Sequence, residues 1–317
     1  MTLHRRMVWT AALLAATILI PSTAPASDRP AKAAPAAATP KDGSADADTA
    51  PADANATTTA AADDDEDTIL DPTQPDFTLV SLPTALRVPR HRSAFRVTHR
   101  FNRPLGAGDV GDLASDFFGF DTGAQIGLEY RYGLMRGTQV GFYRTSDRTI
   151  QFSLEHDLLR QQGGRPFGLT ALAFAEGTNN FRDSYSPGLG LIVSRTLADA
   201  AALYVEPIWV NNSSPLPKAL VDANSTFMVG VGGRFRVRPT VYLVAEVTPR
   251  VSGYKGDRGS TGLIAFGLEK RAGGHLFQVN VADGVSTTFA NIARGGDTAG
   301  DGARNWYIGF NISRKFF

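Results

Sequence analysis

Short runs of alternating character fill the sequence from about Val88 to Phe317. Because successive side chains of a β-strand point to opposite faces, each run separates into two sets. In residues 123–132 one set is polar or small, and the other set is Ala124, Ile126, Leu128, Tyr130 and Tyr132. The same division recurs in residues 149–158 and near the C-terminus. Gly, Asn, Asp and Pro separate the runs, so the pattern predicts an all-β protein.

Twelve such runs are present, and most are about ten residues long, the length that a tilted strand needs to cross a bilayer. Connections after even-numbered runs are short, and all but one of those after odd-numbered runs are longer. Transmembrane barrels have this alternation of short periplasmic turns and long outer loops. The sequence therefore predicts an antiparallel up-and-down transmembrane β-barrel of about 12 strands. We expect strands near residues 93–102, 122–132, 138–145, 149–159, 166–176, 187–195, 201–210, 225–237, 241–250, 261–271, 275–282 and 305–317.

A soluble periplasmic β-sandwich that binds a ligand would also show alternation, and it is kept as an alternative. A sandwich turns its apolar face inward, and its architecture does not call for turn lengths that alternate along the chain. Aromatic residues at the ends of the runs fit the girdles that membrane barrels place at the two interfaces. These residues include Phe95, Phe101, Tyr130, Tyr204, Trp209, Tyr242 and Trp306.

The first 76 residues differ in composition from the rest of the chain. Residues 1–26 have the form of a signal peptide, with Arg5 and Arg6 before an apolar run and Ala24-Pro25-Ala26 at the cleavage positions. Residues 27–76 are rich in Ala, Pro, Asp and Thr. Such a segment buries too little apolar surface to offset the entropy of ordering, so we expect a disordered acidic leash. Residues 77–317 are assigned to the barrel.

The net charge of +1 hides two opposite parts of the chain. The leash holds twelve acidic and three basic residues, a net charge of −9, and residues 77–317 carry +8 once the +2 of the signal peptide is counted. We expect the leash to lie in the periplasm and to fold back against the basic mouth of the barrel. The basic residues of this mouth are Arg87, Arg90, Arg92, Arg160 and Arg165.

The chain ends in Arg314-Lys315-Phe316-Phe317, which resembles the terminal aromatic signal of Gram-negative outer-membrane barrels. The resemblance implies an outer-membrane location and recognition of Phe317 by the barrel-assembly machinery. Phe316, however, is the residue in phase with the apolar set of the last run.

Several segments also resemble a domain-of-unknown-function family of bacterial envelope β-barrels. That resemblance implies a fold and a location but no chemistry. The segments are His99-Arg100-Phe101-Asn102, Asp116-Phe117-Phe118-Gly119-Phe120-Asp121, Gly127-Leu128-Glu129-Tyr130, Arg144-Thr145-Ser146-Asp147-Arg148 and Leu158-Leu159-Arg160-Gln161.

One serine lies two residues from a histidine in the sequence, and the pair is a candidate nucleophile and base. A phospholipase-like hydrolase of the outer membrane needs a serine hydroxyl within hydrogen-bond reach of a base. His91 and Ser93 fall on one face, but they stand at the periplasmic mouth where the chain enters the first strand, and Ala94-Phe95 follows where such enzymes show Asn-Gly. We predict no catalytic residue and no enzymatic activity, and the hydrolase remains the first alternative.

Metal, cofactor and nucleic-acid partners are not expected. The chain has no cysteine, which excludes thiolate metal sites, iron–sulfur clusters and disulfides. The histidines beyond the signal peptide lack the spacing of metal ligands; they are His91, His99, His156 and His275. No recognition helix or basic-aromatic motif is present. The expected partners are outer-membrane lipid, lipopolysaccharide and a small solute.

Charged residues in the polar phase of the runs are predicted to line the lumen. They can pair into a salt-bridge network, which makes the barrel a structural envelope component, or their arginines can form a basic wall that admits small anions or sugar acids, which makes it a passive pore. The role of the long loop 283–304 is left open. The predicted lumen-lining residues are Arg96, Arg100, Glu129, Arg131, Glu155, Asp157, Glu176, Glu206, Arg234, Arg236, Glu246 and Glu269.

Overall fold

The computed structural model describes residues 71–214, 223–253, 262–297 and 303–317. The predicted signal peptide and all of the predicted leash before residue 71 lie outside the described residues. Within the described part, the predicted strands are present in the predicted order. Their bounds are β1 (Ser93–Phe101), β2 (Ala124–Met135), β3 (Thr138–Thr145), β4 (Ile150–Leu159), β5 (Gly168–Gly177), β6 (Asp183–Leu197), β7 (Ala201–Val210), β8 (Thr226–Arg238), β9 (Val241–Thr248), β10 (Arg250–Gly253), β11 (Leu263–Ala272), β12 (His275–Ala282) and β13 (Tyr307–Lys315).

The strands form one closed antiparallel sheet. Strand β1 pairs with both β2 and β13, and the pairing of β8 with β9 completes the ring. β9 and β10 are two halves of one barrel strand, because both pair with β8 and only Pro249 separates them. Proline has no backbone N–H to donate to the ladder, so the strand is interrupted there. The prediction of a twelve-strand all-β barrel is confirmed.

The two faces of each strand separate as the alternation predicts. On β2 the apolar Leu128 and Tyr130 are each 45% exposed on the outer surface. Glu129 and Arg131, at the alternate positions, are each only 7% exposed. Apolar side chains on the outside and polar side chains on the inside are the arrangement that a lipid surround requires.

Helical structure among the described residues is confined to short segments of the outer loops. A capping box between Asp109 and Asp112 begins the helix Val110–Ser115. The described residues contain no helix that is long and apolar enough to span a membrane. The segments are α1 (Val110–Ser115), a 3-10 helix (Phe117–Thr122), α2 (Thr178–Phe181) and α3 (Phe289–Ala293).

The segment Arg144-Thr145-Ser146-Asp147-Arg148 forms the tight connection between β3 and β4. The Asp147 carboxylate accepts hydrogen bonds from the Thr145 hydroxyl and from the Thr149 backbone N–H. Burial raises the pKa of Asp147, but these hydrogen bonds outweigh burial, and the net pKa lies below its usual value. Arg148 has φ of 68°, a left-handed conformation that closes the turn.

The chain before β1 lies inside the barrel. Thr73, Asp76 and Phe77 are at most 2% exposed, so the ordered part of the chain begins at least as early as Asp71 rather than at residue 77. The last six residues of the predicted leash, 71–76, thus lie in the described part of the chain, where barrel side chains distant in sequence hold several of them. We call residues 72–88 the strap.

Candidate functional site: the closed barrel interior

The strap enters at the end of the barrel that carries the short turns, reverses direction, and returns to begin β1. Its reversal is a narrow loop, in which the Leu79 N–H donates to the Leu82 carbonyl at 2.7 Å and the Thr84 N–H donates to the Phe77 carbonyl at 2.9 Å. The strap is not a strand of the barrel, because the sheet closes without it.

Barrel side chains hold the strap by its backbone carbonyl groups. Arg234 donates to the carbonyls of Asp76 and Thr78, and Gln278 donates to that of Leu79 at 2.9 Å. Tyr242 donates to the Pro72 carbonyl, and the Lys315 ammonium donates to that of Pro75. These contacts supply donors to strap carbonyls that lie, Pro72 apart, on buried residues, where an unpaired carbonyl would be costly.

The Val80 carbonyl receives the most donors of any strap group among the described residues. Arg96 Nη2 lies 2.6 Å from this oxygen, Arg100 Nη2 lies 3.2 Å from it, and Asn311 Nδ2 lies 3.2 Å from it. The three donors are on the neighbouring strands β1 and β13.

Glu246 binds the same turn of the strap as a hydrogen-bond acceptor rather than as a donor. Its Oε2 accepts hydrogen bonds from the backbone N–H groups of Val80, Ser81 and Leu82 at 3.0, 3.0 and 3.1 Å. Charge-assisted hydrogen bonds of this kind are about twice as strong as neutral ones. The tip of the strap is therefore clamped by its carbonyl on one side and by its amides on the other.

The strap also packs against an apolar half of the interior that sequence analysis did not predict. Leu79, Val80 and Leu82 lie in one buried cluster with inward-facing residues of β5–β9 and with the cap described below. The wall residues of this cluster include Leu172, Phe174, Ile192, Ile208, Met228 and Val244. The sequence signal was the loss of alternation in runs such as 169–175 and 201–205, where both faces are apolar.

Two inward-facing glycines of β8 make room for the strap. A Cβ atom on Gly232 would lie 2.5 Å from Leu79 Cδ1, and one on Gly230 would lie 2.8 Å from Leu82 Cδ1. Any larger residue at these positions would displace the leucines. Gly230 and Gly232 therefore leave the space that the strap occupies.

The outer loop between β12 and β13 fills the other end of the interior; we call residues 283–297 of this loop the cap. It contains α3, whose Phe289 and Ala290 amides donate to Gln151 Oε1 at 3.0 Å and to Glu176 Oε2 at 3.1 Å. The Phe289 ring packs on Phe174, with 4.4 Å between ring centroids.

Little space remains between strap and cap. The cavity that separates them measures about 20 Å³ and is lined by Ser81, Arg96, Tyr143 and Phe289 among others. This volume holds one or two water molecules. A larger cavity of about 230 Å³ opens at the short-turn end, where Asp71, Arg87, Arg136 and Arg160 line it. In the described structure the interior is therefore closed.

Ten of the twelve predicted lumen residues are buried in the interior, and Asp157 and Arg236 are half-buried near the short-turn end. Most of the acids are paired. Arg131 binds Glu129 at 2.7 Å and Glu155 at 3.0 Å, and Arg87 of the strap binds Glu155 at 2.6 Å and Asp157 at 3.0 Å. The interior thus contains a branched ion-pair network to which the strap contributes a member.

Arg234 and Glu269 form a second, separate ion pair. Arg234 Nε lies 2.7 Å from Glu269 Oε2 and Nη2 lies 3.0 Å from Oε1, with both side chains fully buried. The same guanidinium holds two strap carbonyls, so this bidentate pair supports the strap as well as the wall.

Some interior polar atoms have no protein partner in the described part of the chain. Both carboxylate oxygens of Glu206 are in this class, as are Nε of Arg96, Nε of Arg100 and Oε1 of Glu246. Buried polar groups without partners are costly unless water reaches them, so these places in the interior have the chemistry of a surface that can be hydrated.

The basic mouth predicted to receive the leash is only partly available. Arg87 is buried and paired, and Arg160 binds Asp157 at 3.2 Å. Arg90, Arg92 and Arg165 are exposed. The residues of the leash that would meet them lie outside the described part, so docking of the leash stays a prediction.

The C-terminal residues divide between the two faces of β13. Phe316 is 48% exposed on the outer surface, whereas Phe317 packs against Phe77, Val88 and Ala94. The terminal phenylalanine therefore contacts the strap. Its recognition by the assembly machinery stays a prediction.

His91 and Ser93 do not form a catalytic arrangement in the described residues. His91 has φ of 58° and lies exposed at the mouth, Ser93 pairs with Tyr132 in the β1–β2 ladder, and no hydrogen bond joins their side chains. Within the described ranges, no group of three or more His, Cys, Asp or Glu side chains is placed to hold a metal ion.

Sequence reasoning missed the strap as an element of the site. Its only local signal is the apolar segment Phe77-Thr78-Leu79-Val80-Ser81-Leu82, which lies between the acidic leash and the first strand without forming a strand itself. An apolar segment at that position needs a partner, and the barrel interior supplies one.

A closed ring of twelve strands with an apolar exterior and an interior filled by its own chain defines a transmembrane β-barrel. A family described as a membrane-bound beta barrel domain (DUF5777) matches residues 76–316, and the chain belongs to this family. Its location is the outer membrane, where barrels of this construction reside. Its outer surface therefore contacts membrane lipid.

Solved outer-membrane barrels are similar to the chain at low identity. The NanC porin has a TM-score of 0.47 and 7% identity, covering 71% of this chain and 100% of that one. An outer membrane channel from Pseudomonas putida F1 has a TM-score of 0.41 and 11% identity, covering 72% and 97%. Outer membrane phospholipase A from Escherichia coli has a TM-score of 0.41 and 10% identity, covering 78% and 98%. No curated protein matches the chain.

Proposed function

We propose that this protein is a passive outer-membrane pore whose resting state is closed by its strap and its cap. The observation that carries the proposal is that the strap occupies the interior without belonging to the sheet. Strands β1–β13 complete their hydrogen-bond ladder on their own, so the strap can leave without breaking it. Its contacts with the wall are side-chain hydrogen bonds, ion pairs and apolar packing.

The wall behind the strap supports passage of a hydrated solute. Strands β1–β4 and β11–β13 present charged and amide side chains inward, among them Arg96, Glu129, Gln278 and Asn311. Such side chains are suited to water once the strap has moved.

We expect planar bilayers that contain the full chain to show long closed periods interrupted by discrete openings. Flotation with liposomes verifies that the protein has inserted.

A structural envelope barrel that never opens is the second candidate. The packing of Leu79, Val80 and Leu82 against the apolar half of the interior favours it, because withdrawal of the strap exposes that surface to water. The two candidates separate in the same recording. If the inserted natural chain and an inserted variant with a loosened strap both show no conductance, the result would contradict the pore and favour the structural role.

We further propose that the chain does not hydrolyse lipid. A hydroxyl without a base in reach is a poor nucleophile. Ser93 is paired in the β1–β2 ladder, and in the described structure the exposed His91 side chain makes no hydrogen bond to the Ser93 hydroxyl. We expect purified protein to release no fatty acid from phospholipid vesicles, and Ser93→Ala to leave that background unchanged. Hydrolysis that disappears in Ser93→Ala would instead establish the enzyme.

A further inference from the structure

The donors around the Val80 carbonyl are placed by the register of two neighbouring strands. Thr98 of β1 lies opposite Asn311 of β13, and Arg96 and Arg100 lie two residues to either side of Thr98 on the same inward face. Two guanidinium groups and one amide therefore converge on a single point of the interior, which Val80 O fills.

This point carries more positive charge than a carbonyl oxygen requires. Arg100 is fully buried, and its acceptors are all uncharged: His99 O at 3.1 Å, Asn311 Oδ1 at 3.0 Å and Val80 O at 3.2 Å. The closest carboxylate to Arg96 is Glu129 at 3.8 Å, and Glu129 binds Arg131 more closely, at 2.7 Å. Nε of each arginine lacks a partner among the described residues. Buried cations normally have a counter-charge.

An oxyanion satisfies this geometry better than a carbonyl does. A carboxylate or phosphate oxygen carries a full or shared negative charge, accepts several hydrogen bonds, and forms the charge-assisted contacts for which arginine is suited. The planar guanidinium groups also allow bidentate binding to two oxygens of one ligand. A backbone carbonyl offers one oxygen and only a partial charge.

We propose that Arg96, Arg100 and Asn311 form an oxyanion-binding site in the barrel interior, and that the Val80 carbonyl occupies this site in the closed state. The inference rests on the proposed pore and deepens it, because the ligand class is that of carboxylates and phosphates. Ligand and strap compete for the same donors. Glu246, on the other side of the tip, holds amides of the same turn, so loss of the carbonyl contacts weakens the whole clamp.

The test follows the strap directly with a spin label. The chain has no cysteine, so Ala85→Cys gives a single attachment point, and residue 85 borders the 230 Å³ cavity that has room for a label. The labelled full chain in liposomes is titrated with sodium phosphate and, separately, with sodium acetate. Sodium chloride at equal ionic strength is the control for screening. We expect label mobility to rise and saturate with phosphate, acetate or both, and not with chloride.

Variants assign the response to the site. Arg100→Met should raise the midpoint of the titration at least about tenfold, since it removes a charge-assisted hydrogen-bond donor. The near-isosteric Asn311→Asp gives Arg100 an internal counter-charge and should also abolish or strongly weaken the response. Arg238→Met, which removes an exposed arginine at the end of β8, should leave the midpoint unchanged.

The outcomes separate this site from the pore. A chloride response equal to that of the oxyanions, or an unchanged midpoint in both Arg100→Met and Asn311→Asp, would overturn the site. Bilayer openings without any label response would overturn the site and leave the pore. Silent bilayers with an oxyanion-dependent label response would overturn the pore and leave the site. The ion with the lower midpoint identifies the preferred oxyanion.

Discussion

Gly232→Val should shift the barrel towards its open state. The new Cβ would lie 2.5 Å from Leu79 Cδ1 of the strap, and Leu79 is fully buried and has no room to turn away, so the strap tip cannot keep its place. Overpacking of this kind costs about 1–3 kcal/mol. The contact with Leu79 is lost when the strap leaves, whereas the 3.0 Å approach to the Ala245 carbonyl of β9 is present in both states, so the larger part of the cost falls on the closed state. The open fraction in planar bilayers should therefore rise about 5- to 150-fold.

Gly233→Val is the matched control for this experiment. Gly233 is the next residue of β8 and faces the outer surface, where a Cβ would meet the flexible end of Leu203 at 2.9 Å. We expect closed periods like those of the natural chain. Equal opening by both variants would show that the effect comes from general damage to β8. A closed Gly232→Val barrel would contradict the strap as the gate.

Glu269→Gln should cause a large loss of stability although the substitution is conservative. The substitution leaves Arg234 buried without its counter-charge, and breaking a buried ion pair in this way costs about 3–5 kcal/mol. Gln278 also loses a charged acceptor, since its Nε2 lies 2.7 Å from Glu269 Oε1. The measurement is the temperature at which the folded band in detergent gels converts to the unfolded band, which we expect to fall markedly.

Two comparisons make this result specific. Asp116→Asn removes the partner of Arg103 in a pair whose carboxylate is 42% exposed, and exposed pairs contribute about 0–1 kcal/mol. The double variant Arg234→Met with Glu269→Leu removes both charges and should recover much of the loss. Glu269→Gln with the stability of the natural chain would contradict the view that this pair supports the wall and the strap.

The location of charged side chains could be predicted from sequence because it follows from alternation alone. Arg96 and Arg100 are four residues apart on one strand, and a period of two places them on one face regardless of the rest of the fold. The position of Asn311 between these two arginines could not be predicted. It depends on the pairing register of β1 with β13, and these strands are more than two hundred residues apart in sequence.

The strap shows the same limit more clearly. Its local sequence contains an apolar segment, but most of the groups that hold it, such as Glu246 and Lys315, come from strands far along the chain. For this reason the sequence alone did not show that residues 72–76, within the predicted leash, belong to the strap. The apolar half of the interior escaped prediction because alternation identifies a lipid-facing side only when the opposite side is polar.

By itself, the sequence determined that the chain forms a closed barrel of twelve membrane-spanning strands, because the period of the side chains and the lengths of runs and turns are local properties. Tertiary structure alone decided that the interior is closed, which donors meet at Val80 O, and which glycines make room for the strap. These features depend on contacts between distant residues, and a local pattern carries no information about which distant groups will meet.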